Sequence, residues 1–250
     1  MPVTEPPVLI AHRGHAAVCP ENTLPALDSA ADAGARWVEI DVQLTADGVP
    51  VLLHDDDLER TSGHKVSVFS LTAAALAGFC VGEPARFGER FAGLRAPTLS
   101  EFDAWLRARP GVQAFVELKT ESIQRFGRGA MVDACLEALG PPGERWVPLS
   151  YDEGILAVFA DRGAERLAWV IREFDQETVA RAQALPARWL FRNHERMDPG
   201  PLPEGPWSWV PYEVDNPELA RDLAARGARW LETMHFGALA RALGIGGKSG

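Results

Sequence analysis

Residues 37–55 read WVEIDVQLTADGVPVLLHD, and the way this stretch folds decides the architecture of the chain. Nine short apolar runs, near residues 10, 40, 52, 116, 148, 169, 190, 210 and 231, alternate with helical patterns along the 250 residues. That alternation is the signature of βα units around a parallel sheet. Nine strands are one too many for an eightfold barrel. A parallel crossover needs about a dozen residues or more, but only TADG separates Leu44 from Val49. Asp47-Gly48 is a strong hairpin signal. The run 49–54 therefore folds back antiparallel on 37–44 as an accessory arm, and eight strands remain for a single (β/α)8 TIM barrel over residues 1–250.

Helical patterns such as LPALDSAADAGA, LSEFDAWLRA and PELARDLAARG fill the intervals, with NT, LS and DN as N-cap candidates. The unit AGARWVE at 33–39 recurs as RGARWLE at 226–232, one strand–helix device used twice rather than a solenoid. Residues 55–97 are too long for a bare loop and are predicted to form a small insertion over the C-terminal rim. Phe69, Phe79, Phe87 and Phe91 would be its core, and Trp37, Trp146 and Trp230 are predicted to pack under helices.

Composition narrows the partners. The net charge of −10 argues against nucleic acid and anionic membrane as broad partners. No apolar run is long enough to span a bilayer, and no leader-like segment opens the chain, so the default expectation is a cytoplasmic protein with no stable membrane insertion. Cys19, Cys80 and Cys135 are scattered and are read as reduced. The C-terminal GIGGKSG ends like a P-loop, but Ala242 stands where the first glycine belongs, so it is read as a tail.

Strand side chains alternate, so Glu39 and Asp41 share one face and Val38, Ile40 and Val42 the other. Glu117 and Lys119 repeat the spacing in VELK. These residues sit toward the C-terminal ends of their strands, where barrel enzymes build their sites, and His12-Arg13-Gly14 follows the first strand at the same end. Three carboxylates converging on one mouth repel unless a cation lies between them. Oxygen ligands without thiolates select a hard divalent ion, Mg²⁺ or Ca²⁺. His12 and His54 suit acid/base work, while Arg13 and Lys119 suit a phosphoryl group. Together they point to hydrolysis of a phosphodiester.

The stretch AHRGHAAVCPENTLPALDSAADAGARWVEIDVQLTADGVPVLLHDDDLERTSG resembles the opening of the glycerophosphodiester phosphodiesterase family in its HRG, PENT, E-x-D, T-x-D-G, HD and R-T elements. The likeness resumes at GERF…PTLSE and VELK and thins after residue 150. It implies a (β/α)8 fold and metal-dependent release of an alcohol from sn-glycerol-3-phosphodiesters. It makes His12 and His54 the acid/base pair, Glu39, Asp41 and Glu117 the ligands of one divalent cation, and Arg13 and Lys119 the phosphate contacts. Glu21 and Asn22 of PENT fall near the site, and Tyr212 stands where the family carries tryptophan. The resemblance also implies attack by the substrate's neighbouring hydroxyl, with a cyclic phosphate then opened by water. The C-terminal half departs from the family pattern at Tyr212-Glu213-Val214-Asp215 and Glu232-Thr233-Met234, which bears on substrate identity. Two alternatives accompany this expectation: a lysophospholipase D or phosphoinositide-type lipase, and a phosphodiester-binding protein without turnover. Monomer and homodimer are both open.

Overall fold

The computed structural model describes residues 6–245; the C-terminal GGKSG, and with it most of the P-loop-like tail, lies outside the described residues. Eight parallel strands form a (β/α)8 barrel. They are β1 (Val8–Ala11), β2 (Trp37–Leu44), β3 (Gln113–Leu118), β4 (Trp146–Ser150), β5 (Leu167–Val170), β6 (Ala187–Asn193), β7 (Ser208–Tyr212) and β8 (Trp230–Thr233). Each neighbouring pair from β1 to β7 forms a parallel ladder, and β8 returns to pair with β1. At the remaining seam, between β7 and β8, the Val214 N–H just past β7 donates to the Glu232 carbonyl at 2.9 Å.

The hairpin arm folds as its turn demands. Pro50–Leu52 pairs antiparallel with β2, with Val42 opposite Leu52 and Leu44 opposite Pro50. Gly48 takes a φ of +77°, which a β-carbon would strain, and the Thr45 N–H donates to the Val49 carbonyl across the turn. The other edge of the arm is covered, since the Leu52 N–H donates to the Pro97 carbonyl. Leu53 N–H reaches the Asp41 carbonyl at 3.1 Å, which carries the next residue, His54, back to the carboxylate end of β2.

Alternation along the strands makes two cores. Leu9, Val38, Ile40, Val42, Val116 and Leu118 face outward onto the helices, while Ile10, Phe115, Val147, Leu149, Phe191 and Val210 fill the barrel interior. Helix Leu99–Arg107 shows why the outer layer forms where it does. Thr98 and Glu101 make a reciprocal capping box, and the helix buries Leu99, Phe102 and Leu106 against the sheet.

Two expectations are corrected. Trp146 packs outward against Phe159, as predicted, but Trp37 and Trp230 point into the barrel and plug its lower end with Phe115 and Trp189. The reason is parity: Trp37 shares a face with Glu39 and Asp41, and Trp230 with Glu232, so turning the acids inward turns the tryptophans inward too. The Arg166 guanidinium lies 5.0 Å from the Trp189 ring, below the plug. In the 55–97 segment, Leu58, Val68, Leu76 and Val81 pack with Val51 and Leu53 of the arm, and Phe69 and Phe79 join them. Phe87 and Phe91 do not; they pack on each other, with Arg86 and Arg90 over the rings in place of apolar burial.

Candidate active site

The site is built at the C-terminal mouth from the ends of β1, β2 and β3, the end of the hairpin arm, and the turns that follow. After β1 the chain turns sharply through Arg13 (φ +53°) and Gly14 (φ +78°). A β-carbon on Gly14 would lie 2.7 Å from the Ala26 backbone, so only glycine fits there. The turn drives His12 and Arg13 into the mouth. Asn22 (φ +55°) and Glu213 (φ +60°) are also left-handed, and both lie at the same rim. Such strain persists where the surrounding structure fixes it and is common at functional sites.

Asp41 is the hub. It is buried, ion-paired with Arg13 Nε at 3.1 Å and Lys119 Nζ at 3.2 Å, and accepts a hydrogen bond from Asn22 Nδ2 at 2.9 Å. Lys119 also binds Glu117 at 2.9 Å. The Arg13 backbone N–H donates to Glu39 at 3.1 Å, and its guanidinium binds Glu21 at 3.0 Å. A second chain of charges supports the arm. His54 Nδ1 lies 2.7 Å from Asp55, Asp55 accepts from Arg60 Nε at 2.7 Å, and Arg60 donates twice to Glu21 at 2.7 and 2.8 Å. The two chains meet at Glu21.

Burial and neighbours set the charge states. Burial raises the Asp41 carboxyl, but Lys119 and Arg13 outweigh it and hold the group well below the usual carboxylate range. Glu39 moves the other way: burial, then the neighbouring Asp41 and Glu232, push it well above that range. Glu117 is raised by burial and Asp41 in spite of Lys119. Burial, helped by Arg13, holds the His12 imidazole well below its ordinary value and keeps it neutral at neutral pH.

Glu39, Asp41 and Glu117 each offer an oxygen, and these atoms lie within 4.8 Å of one another. Glu39 Oε1 is buried and accepts no hydrogen bond, while Asp41 Oδ1 faces the Lys119 ammonium at 3.2 Å. A buried oxygen without a donor, clustered with two further carboxylates, is what a bound cation would satisfy, and an all-oxygen set suits a hard divalent ion. The residues therefore fit the group expected from the sequence.

Of the residues singled out in the sequence, His12, Arg13, His54, Glu117, Lys119 and Tyr212 line one cavity of about 120 Å³. Glu39 and Asp41 lie buried behind it. Glu21 and Asn22 sit in the layer behind, holding Arg13, Arg60 and Asp41 in place. Thr23 caps the following helix. His15 is bound between Ser29 and the Gly237 N–H, away from the cavity. Sequence reasoning did not find Tyr151, whose hydroxyl lies 2.9 Å from that of Tyr212, or the pairing of Arg60 with Asp55 and Glu21. Glu232 was read as a break in the family pattern that adds negative charge near the site. It proves to be buried in the same cavity wall, 3.9 Å from His12 Nε2.

Burial and then Glu117 raise the Glu232 carboxyl well above the ordinary range. An unfolded glutamate titrates near about 4.3. The penalty for ionising Glu232 in the fold is thus absent below that pH, grows as the pH rises, and levels off above its native value. In EDTA, Glu232→Gln is expected to melt with the wild type at pH 4. At pH 8 it should melt higher, by about 1–3 kcal/mol or roughly 2–12 °C. Calorimetry checks this, and an offset independent of pH would contradict it.

Residues 12–145 match the profile of the glycerophosphoryl diester phosphodiesterase family. Over 94 residues the chain is 43% identical to a glycerophosphodiester phosphodiesterase of Caldanaerobacter subterraneus subsp. tengcongensis, covering 38% of this chain and 38% of that protein. Over 92 residues it is 41% identical to glycerophosphodiester phosphodiesterase 1 of Mus musculus, covering 37% of this chain and 28% of that protein. The matched stretch thus spans less than half the length of these curated relatives. Solved structures match along nearly the whole chain. An Oleispira antarctica phosphodiesterase, in complex with the product sn-glycerol-3-phosphate, gives a TM-score of 0.81 at 25% identity over 95% of this chain and 97% of that one. A glycerophosphodiester phosphodiesterase from Thermotoga maritima shares the fold, with a TM-score of 0.72 at 20% identity over 96% of this chain and 99% of that one.

Proposed function

The chain belongs to the glycerophosphoryl diester phosphodiesterase family, and from that premise we propose that it hydrolyses small glycerophosphodiesters to sn-glycerol 3-phosphate and an alcohol. One observation carries the reading. His12, His54, Arg13 and Lys119 line a single cavity whose wall also includes Glu117 of the oxygen cluster.

In this reading His12, kept neutral by burial, takes the proton of the attacking hydroxyl. Asp55 holds His54 through Nδ1 and orients the ring, so that its other nitrogen gives a proton to the departing alcohol. Arg13 and Lys119 bind phosphoryl oxygens. Their acidic partners, Asp41, Glu21 and Glu117, keep them charged and fixed before substrate arrives, so little reorganisation is needed as charge develops. Glu39, Asp41 and Glu117 would hold one divalent cation, Mg²⁺ or Ca²⁺, which supplies further positive charge to the phosphoryl group.

A lipid substrate needs an apolar rim. Among the described residues the exposed large apolar side chains are Val8 and Val18, and no described helix is long and apolar enough to cross a membrane. Small polar diesters therefore fit better than lysophospholipids.

The test is hydrolysis of glycerophosphocholine by the purified chain. Activity is expected to fall by at least about 10²-fold in EDTA and to return with Mg²⁺ or Ca²⁺. Full activity after exhaustive chelation would remove the metal from the reading. Turnover of lysophosphatidylcholine alone would move the substrate class to lipids.

A further inference from the structure

Glu232 has no part in the chemistry above, yet it is among the most buried charged groups of the barrel, 3% exposed. Its Oε1 is shut away from solvent without a hydrogen-bond partner, and Oε2 faces His12 Nε2 at 3.9 Å. Glu39 Oε2 faces the same nitrogen at 3.8 Å, and Glu39 Oε1 is likewise unpartnered. One atom from each of His12, Glu39 and Glu232 falls within 4.8 Å of the others. Ligand atoms around a zinc ion stand about 2.0–2.2 Å from it, so tetrahedral neighbours lie about 3.4 Å apart, and the imidazole-to-carboxylate gaps of 3.8 and 3.9 Å close to that spacing with shifts of about half an ångström. The donor set differs in kind from its neighbour. Glu39, Asp41 and Glu117 offer oxygen alone, whereas this group adds an imidazole, which suits borderline ions such as zinc over Mg²⁺ or Ca²⁺.

We propose that His12, Glu39 and Glu232 form a zinc site distinct from the oxygen-only cation site, and that zinc bound there inhibits the enzyme. The ion takes the Nε2 lone pair of His12, so the imidazole can no longer accept a proton. It also draws on Glu39, which both sites share, so ions at the two positions compete. The inhibitory half rests on the role given to His12 above; the binding half does not.

Zinc binding is measured first, on metal-stripped full chain, by competition with a chromophoric zinc chelator. Glu232→Gln is expected to weaken binding at least about 100-fold, and Glu117→Gln, which touches only the oxygen set, by less than about tenfold. Zinc X-ray absorption of the wild type should report one imidazole nitrogen. Unchanged affinity in Glu232→Gln, equal losses in both variants, or an oxygen-only shell would each overturn the site. Then, in saturating Mg²⁺, the zinc inhibition constant should rise in Glu232→Gln by the same factor as the dissociation constant. Zinc that binds with the stated ligands and leaves turnover unaffected would overturn the inhibition and the part given to His12, while leaving the site itself in place.

Discussion

Replacing His12 by alanine is expected to lower kcat/KM for glycerophosphodiester hydrolysis by about 10²–10⁴-fold, the usual contribution of a positioned acid or base. That range is about 3–5 kcal/mol of barrier. The loss should fall mainly on kcat, because His12 is assigned to proton transfer and Arg13 and Lys119 to holding the phosphate. His54→Ala should lie in the same range. The double variant should lose far less than the product of the two, since the histidines act on one reaction coordinate. Thermal melting of His12→Ala should change little, for its buried Nδ1 has no partner to lose. Steady-state kinetics at saturating divalent ion check the set. A His12→Ala enzyme within threefold of wild type would take His12 out of the chemistry.

Asp41→Ala is expected to cost stability as well as activity. It leaves two buried cations, Arg13 and Lys119, without the carboxylate they share, and breaking a buried pair in this way costs about 3–5 kcal/mol. Each cation keeps one acidic neighbour, Glu21 for Arg13 and Glu117 for Lys119. The lower end, about 3 kcal/mol, is therefore the better expectation, or roughly 6–12 °C in melting temperature. The native carboxyl is held well below the usual range. Its contribution is present above the unfolded value of about 3.9 and is lost only as pH falls through the lower native one. The Asp41 carboxyl's own titration thus adds nothing to the gap above pH 5, and the gap should narrow as the pH rises toward 9, because Glu39 and Glu117 ionise more easily without the Asp41 charge that raises them. Urea or thermal unfolding across that range checks both points. A cost below 1 kcal/mol, or a gap that closes toward pH 5, would contradict the hub role of Asp41.

What was legible in the sequence follows the reach of local rules. Period-two alternation put Glu39 and Asp41 on one face, and the short TADG connection identified the antiparallel arm, because turn chemistry and parity act over a few residues. The same parity, carried one step further, gives the inward Trp37 and Trp230. They were missed because the tryptophans at strand starts were read together as packing under helices, without following the alternation strand by strand.

Glu232 beside His12 is a different case. Alternation turns Glu232 inward, and the echo of AGARWVE in RGARWLE pairs it with Glu39. Its neighbour, however, is set only when β8 closes on β1, with Ile10 opposite Glu232 and Ala11 opposite Thr233. A contact across more than 200 residues has no local signal. The chain from His54 through Asp55 and Arg60 to Glu21 is also tertiary, since it forms where the 55–97 segment folds down on the turn after β1.

The account stands most directly on the identity of the product. Phosphorus NMR of glycerophosphocholine incubated with the purified chain and Mg²⁺ should show conversion to sn-glycerol 3-phosphate, directly or through a cyclic phosphate, and the same sample with His12→Ala should stay almost unchanged. Phosphocholine as the product, or no conversion with Mg²⁺, Ca²⁺ or Mn²⁺ present, would contradict it.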